Sequence, residues 1–221
     1  MPVLSGILGC LGMAFCQWLI YIYAPVEASL GLAQKIFYIH LPLAWWALFS
    51  FFIVFISSCR YVIRRKGADD RAAQAAAEIG TLFCGLALAT GCLWAKKSWG
   101  VWWTWDPRLS TTLVAWFMYA AYLVLRGVDL EPSRKRMVCA VVGIVAFLDV
   151  PLVFVSARIW RSIHPAVFAS EGGGMPDEML FAILACVVFM GLFWWSVFSI
   201  RKRQLDMGAA LARLREAEFL E

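Results

Sequence analysis

Hydrophobic positions along this chain fall in long unbroken runs. Six of them, Leu4 to Tyr23, Leu41 to Cys59, Ile79 to Ala95, Thr111 to Leu125, Met137 to Ser156 and Met179 to Ile200, approach the roughly 20 apolar residues that a helix needs to cross hydrocarbon. The fourth run is short and borrows flanking residues. Inside lipid the backbone must satisfy its own hydrogen bonds, as helices or as a closed barrel. Continuous runs, instead of alternating ten-residue segments, select helices. The pattern therefore predicts an all-α integral membrane protein with six transmembrane helices. The first run lacks a basic leader and an Ala-x-Ala-like cleavage site, so it reads as a retained span.

Between the runs, GADDRAAQAAAE (Gly67 to Glu78) is alanine-rich and polar and lengthens the third span as a helix beyond the bilayer. In the tail, Met207, Leu211, Leu214 and Glu218 stand at helical spacing. That tail, 204–221, reads as a surface-lying helix or a docking helix for a partner. The rest, 1–203, is one six-helix unit with a tryptophan-rich segment at 96–110.

Composition narrows the class. Of 221 residues, 62% are hydrophobic and 16% charged, against about 25% charged in soluble domains. Disordered chains, secreted disulfide scaffolds and free nucleic-acid binders are excluded. Fourteen of the twenty Lys and Arg residues follow spans two, four and six, while Lys35, Lys96, Lys97, Arg108, Arg158 and Arg161 lie on the other side. Basic loops stay inside, which predicts both termini in the cytoplasm. Seven scattered cysteines form no C-x-x-C pair and read as small buried hydrophobes.

The unusual residues gather on the outer side. Both histidines, His40 in KIFYIHLPLAW and His164 in SARIWRSIHPAV, fall there, as does WGVWWTWDP between spans three and four. Trp99, Trp102, Trp103 and Asp106 follow i, i+3, i+4, i+7, the spacing of a short interfacial helix, with Trp105 pointing elsewhere. An aromatic belt is the plainer explanation of tryptophan at membrane surfaces. A belt occurs at both surfaces, however, and ten of the twelve tryptophans map to the outer half. That asymmetry favours a binding platform.

Asp106 before Pro107 is an N-cap signal for span four, which leaves room for a second role. Arg108 is placed to pair with Asp106 or with a ligand carboxylate. Each histidine neighbours a proline, in His40-Leu-Pro42 and His164-Pro165. Neutral imidazole is the preferred axial ligand of haem iron, and two imidazoles complete a six-coordinate site. Zinc would want three or four ligands, and no outer cysteine or second histidine pair supplies them. Flat indole walls suit a flat macrocycle, and outer cations such as Arg108, Arg158, Arg161, Lys96 and Lys97 suit its propionates. Asp149, in FLDVPLVF, is the one acidic residue inside a span, a position that is either functional or satisfies backbone donors freed by the neighbouring proline.

The string WGVWWTWDPRL resembles the tryptophan-rich WWD signature of haem-handling membrane proteins. With YIHLP before it and VP…WRSIHP after it, the chain is similar to the CcmC branch of cytochrome c maturation. The resemblance implies a non-enzymatic protein of the bacterial inner membrane that holds haem b at the outer face and passes it to the periplasmic chaperone CcmE. It further implies a complex with the ATPase CcmA and the membrane subunits CcmB and CcmD; this chain has no Walker motif. By the same resemblance, His40 and His164 match the axial haem ligands, and Trp99, Trp102, Trp103, Trp105 and Asp106 match the haem-presenting platform. A single-haem b-type electron-transfer cytochrome is the alternative reading of a bis-histidine membrane site.

Overall fold

The computed structural model describes residues 2–28, 30–160, 162–164 and 175–218, with backbone alone at 157 and 158. Arg161, Pro165 and the last three residues lie outside the described residues. The helices are α1 (Pro2–Trp18), α2 (Phe37–Arg64), α3 (Gly67–Trp99), α4 (Pro107–Gly127), α5 (Pro132–Phe147), α6 (Asp149–Ile159) and α7 (Asp177–Glu218). A π-helical turn, Leu19–Tyr23, continues α1, and a 3-10 turn, Leu32–Ile36, leads into α2. Among the described residues, six segments are long and apolar enough to cross a membrane, with α5 and α6 sharing one.

Each boundary has a local cause. Arg65 at the end of α2 adopts a left-handed conformation (φ 56°) and its N–H returns to the Tyr61 carbonyl, after which extended Lys66 starts α3. Asp106 and Glu131 cap α4 and α5, each followed by proline at the first helical position, where its missing N–H costs nothing. The fifth span breaks between Phe147 and Asp149. Pro151 explains the place: it has no N–H to give the carbonyl four residues back, which is Phe147.

Packing centres on α2, which lies against α3, α5 and α7, while α1 packs on α7 and α6 on α4. Close approach of α1 and α7 depends on Gly6, Gly9 and Gly12; a Cβ on Gly9 would stand 2.6 Å from the Phe193 backbone nitrogen, and one on Gly12 would collide with the Phe189 ring. Small residues at such contacts are the usual means of helix association in lipid. Between α2 and α7, Trp46 stacks on Trp194 at 5.2 Å between ring centroids. Trp46 donates to the Val187 carbonyl (2.9 Å) and Trp194 to Ser50 Oγ (2.7 Å). These indoles meet in mid-helix, and Trp116 likewise sits halfway along α4, donating to the Thr81 carbonyl. The expected split of ten outer and two inner tryptophans is therefore too sharp. Hydropathy opened span two at Leu41, whereas the helical segment starts at Leu32, which shifts Trp46 toward the middle.

One end of the bundle is tied by ion pairs: Arg126 to Asp70 (2.9 Å), Arg60 to Asp69 (3.0 Å), Arg71 to Asp206 (2.5 Å) and Arg201 to Glu78 (2.5 Å). The alanine-rich stretch is helical as expected, and it is packed: Ala73, Ala75, Ala76 and Ala77 are buried. The tail continues α7 without interruption to Glu218 and leaves Met207, Leu211 and Leu214 exposed. All seven cysteines are free, four of them buried.

The α1–α7 contact leads to a paired stability test. Gly9→Ala is expected to destabilise the protein in detergent by about 1–3 kcal/mol, since the opposing backbone cannot yield. Gly208→Ala, on a helical position with open space around it, is expected to be neutral or stabilising by up to about 1 kcal/mol. Thermal unfolding of the two purified variants checks the order.

Candidate ligand cavity between two histidines

At the opposite end of the bundle, the start of α2, the end of α3, the start of α4 and the segment 162–164 enclose a cavity of about 360 Å³, within the size range of small-molecule sites. Its walls include His40, His164, Trp94, Trp99, Trp103 and Arg108. The two histidines, 124 positions apart in sequence, thus face one space.

His40 stands in the first turn of α2 and is aimed by α3. Its Nδ1 lies 3.0 Å from the Ala87 carbonyl oxygen and 3.1 Å from Thr90 Oγ1. The Thr90 hydroxyl donates back to the Leu86 and Ala87 carbonyls (2.8 and 3.0 Å), so the proton between ring and carbonyl belongs to Nδ1. This leaves the Nε2 lone pair open, the arrangement that orients metal-binding imidazoles. Gly91 gives the ring its room, since a Cβ there would stand 3.1 Å from His40 Cε1. Trp94 meets the ring edge-on at 6.0 Å.

His164 is held from α4. The Asp106 carboxylate accepts from the Arg108 N–H (2.9 Å), the Ser162 hydroxyl (3.0 Å) and the Ile163 N–H (2.8 Å). The Ser162 hydroxyl oxygen accepts in turn from the His164 N–H (3.1 Å). Arg108 Nη1 lies 3.3 Å from His164 Nδ1; a guanidinium only donates, so this ring nitrogen accepts. Burial by itself would raise the Asp106 pKa. The bonds from Ile163, Ser162 and Arg108, with His164 nearby, outweigh it and hold the carboxyl below its ordinary value.

The tryptophan segment differs from the expected interfacial helix. α3 ends at Trp99, Gly100 turns left-handed (φ 75°), and residues 101–106 are irregular. A left-handed glycine closes a helix, and the residue before a proline avoids helical geometry, so Gly100 and Pro107 override the spacing. The loop divides the indoles: Trp99 and Trp103 line the cavity, while Trp102 and Trp105 are outside its walls and 57% and 79% exposed. Lys96 Nζ lies 5.8 Å over Trp102, and Trp105 meets Trp103 edge-on. Asp106 is also outside the cavity wall and only 6% exposed.

Sequence reasoning did not single out Ala87, Gly91, Trp94 and Ser98 as site residues. They follow i, i+4, i+7, i+11, one face of α3 running into the tryptophan loop, and that stripe was the available signal. Trp94 Nε1, Ser98 Oγ and Trp103 Nε1 are buried with no hydrogen-bond partner among the described residues. Beneath the cavity, Asp149 is buried at the start of α6 with Oδ2 unpartnered among the described residues, one turn before cavity-lining Val153. No three His, Cys, Asp or Glu side chains gather as a metal cluster among the described residues.

These features define a class: a six-span membrane protein whose two histidines share an aromatic-walled cavity at one end of the bundle. A sequence profile described as CcmC, heme exporter protein C, matches residues 1–215, and the chain belongs to that family. Heme exporter protein C of Bradyrhizobium diazoefficiens is 36% identical over 174 residues, which is 77% of this chain and 66% of that one. The Haemophilus influenzae protein of the same name is 28% identical over 176 residues, 78% of this chain and 72% of its own. A putative cytochrome c biosynthesis ccmC-like mitochondrial protein of Marchantia polymorpha is 28% identical over 187 residues, 82% and 78% of the two chains. The matches to the two heme exporter proteins thus span about two thirds of their length.

The depressed pKa of Asp106 sets a pH window. Its bonds to Ser162 and Ile163 contribute stability that is fully present above the ordinary carboxylate value near 3.8 and lost only as pH falls through the lower folded value. The Asp106 carboxylate band, isolated as the infrared difference between wild type and Asp106→Asn, is expected to fall to half its height only below pH 3.8. A midpoint at or above that value would contradict the geometry.

Proposed function

We propose that this protein is a haem-handling membrane protein of cytochrome c maturation that binds haem b between His40 and His164 and passes it on without catalysing a reaction of its own. The observation that carries the reading is the convergence of the chain's two imidazoles on one aromatic-walled cavity. The haem is cargo, and the walls suit it. Imidazoles favour iron, and Trp94, Trp99 and Trp103 offer flat apolar faces. The Arg108 guanidinium and the unpartnered N–H and O–H groups of Trp94, Ser98 and Trp103 suit propionate carboxylates. His40 arrives with Nε2 free; His164 has its Nδ1 engaged by Arg108. The second ligand therefore depends on the adjustment of a cation that itself has an affinity for carboxylates.

Exposed Trp102 and Trp105 stand beside the cavity and would meet the recipient, a periplasmic chaperone of the CcmE type. Family membership supports a complex with CcmA, CcmB and CcmD, with ATP hydrolysed by CcmA. The basic, ion-paired end of the bundle supports an inner-membrane orientation with both termini in the cytoplasm and the cavity outside.

Protein purified with haem is expected to give a six-coordinate low-spin absorption spectrum, altered in both His40→Ala and His164→Ala. Spectra unchanged in both variants would overturn the assignment, and a redox cycle coupled to quinone would favour the electron-transfer alternative. For orientation, a cysteine placed at Trp105 is expected to react with an impermeant maleimide on intact spheroplasts, while one placed at Met207 reacts only after lysis.

A further inference from the structure

An N-cap needs one side-chain oxygen, and serine, threonine or asparagine serve as well as aspartate. Asp106 does more than cap α4. Only its bond from the Arg108 N–H belongs to the cap; the other two bonds reach a segment 56 and 57 residues away. The contacts continue to the ligand residue itself, because the Ser162 hydroxyl that donates to Asp106 accepts from the His164 backbone N–H. Asp106 is buried and stands outside the cavity wall, so its carboxylate is spent on chain and not on cavity.

We propose that Asp106 is a positioning residue for His164: its carboxylate latches the Ser162–His164 segment to the N-terminus of α4 and so sets the reach of the His164 ring into the cavity. This deepens the function proposed above and rests on His164 being an iron ligand. Arg108, two residues on, holds the ring of the same histidine in the haem-free protein, so one helix terminus positions both backbone and imidazole before the cargo enters. The tryptophan loop and the second histidine then form one mechanical unit. Displacement of the loop beside exposed Trp105 draws Asp106 with it and withdraws His164, while His40, fixed on α3 by Ala87 and Thr90, stays in place. Haem is thus released from one side.

Asp106→Ser separates the two roles, because serine keeps the cap and loses the span to residues 162 and 163. In haem-free protein, hydrogen exchange at the Ile163 amide is expected to accelerate by about tenfold or more, the scale of one lost charge-assisted bond, while amides in the first turn of α4 keep their protection. In haem-loaded protein the spectrum is expected to shift toward that of His164→Ala and to return on addition of free imidazole. Ser162→Ala, which leaves the cap whole, is expected to produce the same changes in smaller measure and serves if Asp106→Ser does not fold. Wild-type exchange at Ile163 and wild-type spectra in these variants would reduce Asp106 to a helix cap and overturn the proposal. A changed spectrum with unchanged exchange at Ile163 would also overturn it, by making Asp106 a direct contact of the haem. If the histidine variants leave the spectrum intact, the haem reading fails by itself, and exchange in the haem-free protein still decides the latch.

Discussion

The governing constraint on this chain is that a backbone in lipid has to satisfy its own hydrogen bonds. Among the described residues it keeps the middle of the bundle largely regular and moves most irregular segments to the two ends. Where regularity does fail within a span, at Pro151, the break follows from a missing N–H, and the acidic residue it places at the start of α6 lies just under the cavity. Each end then does a different job. One is closed by carboxylate–guanidinium pairs among α2, α3, α4 and α7. At the other, helix termini converge around an open space where several buried polar groups have no partner among the described residues.

The two histidines show how differently rigidity is obtained. His40 owes its orientation to regular structure: a carbonyl and a hydroxyl one turn apart on α3, and a glycine that makes room for the ring. His164 belongs to no helix, and its placement comes from a carboxylate and a guanidinium at the start of α4. A side chain held by a helix and one held by an irregular segment differ in how readily they move, since local opening is concentrated where few backbone bonds are shared.

Much of this was legible in the sequence. The six spans, the helical lengthening of α3, the cap at Asp106 and the convergence of His40 and His164 at one end follow from run length, alanine content, the Asp-Pro pair and the parity of spans. In the tryptophan segment, i, i+3, i+4 spacing points to a helix that the punctuation at Gly100 and Pro107 forbids. Trp46 lies deeper than hydropathy places it, because a hydropathy run does not show a helix beginning nine residues before it. Partners such as Thr90, Ser162 and Ile163 carry no signature at all. They act through backbone atoms or a single hydroxyl, and any sequence presents those everywhere.

The 42 residues of α7 form one uninterrupted helix, about 63 Å long at 1.5 Å per residue. The hydrocarbon core takes up about 30 Å of that, and beyond the Arg71–Asp206 pair the last 12 residues of the rod project from the bundle as a mast. A tilt of only about 5° moves the tip of such a rod by about 5 Å. Through its contact with α2 by way of Trp46 and Trp194, angular motion imposed on the mast at the basic end has a stiff route toward the helix that carries His40.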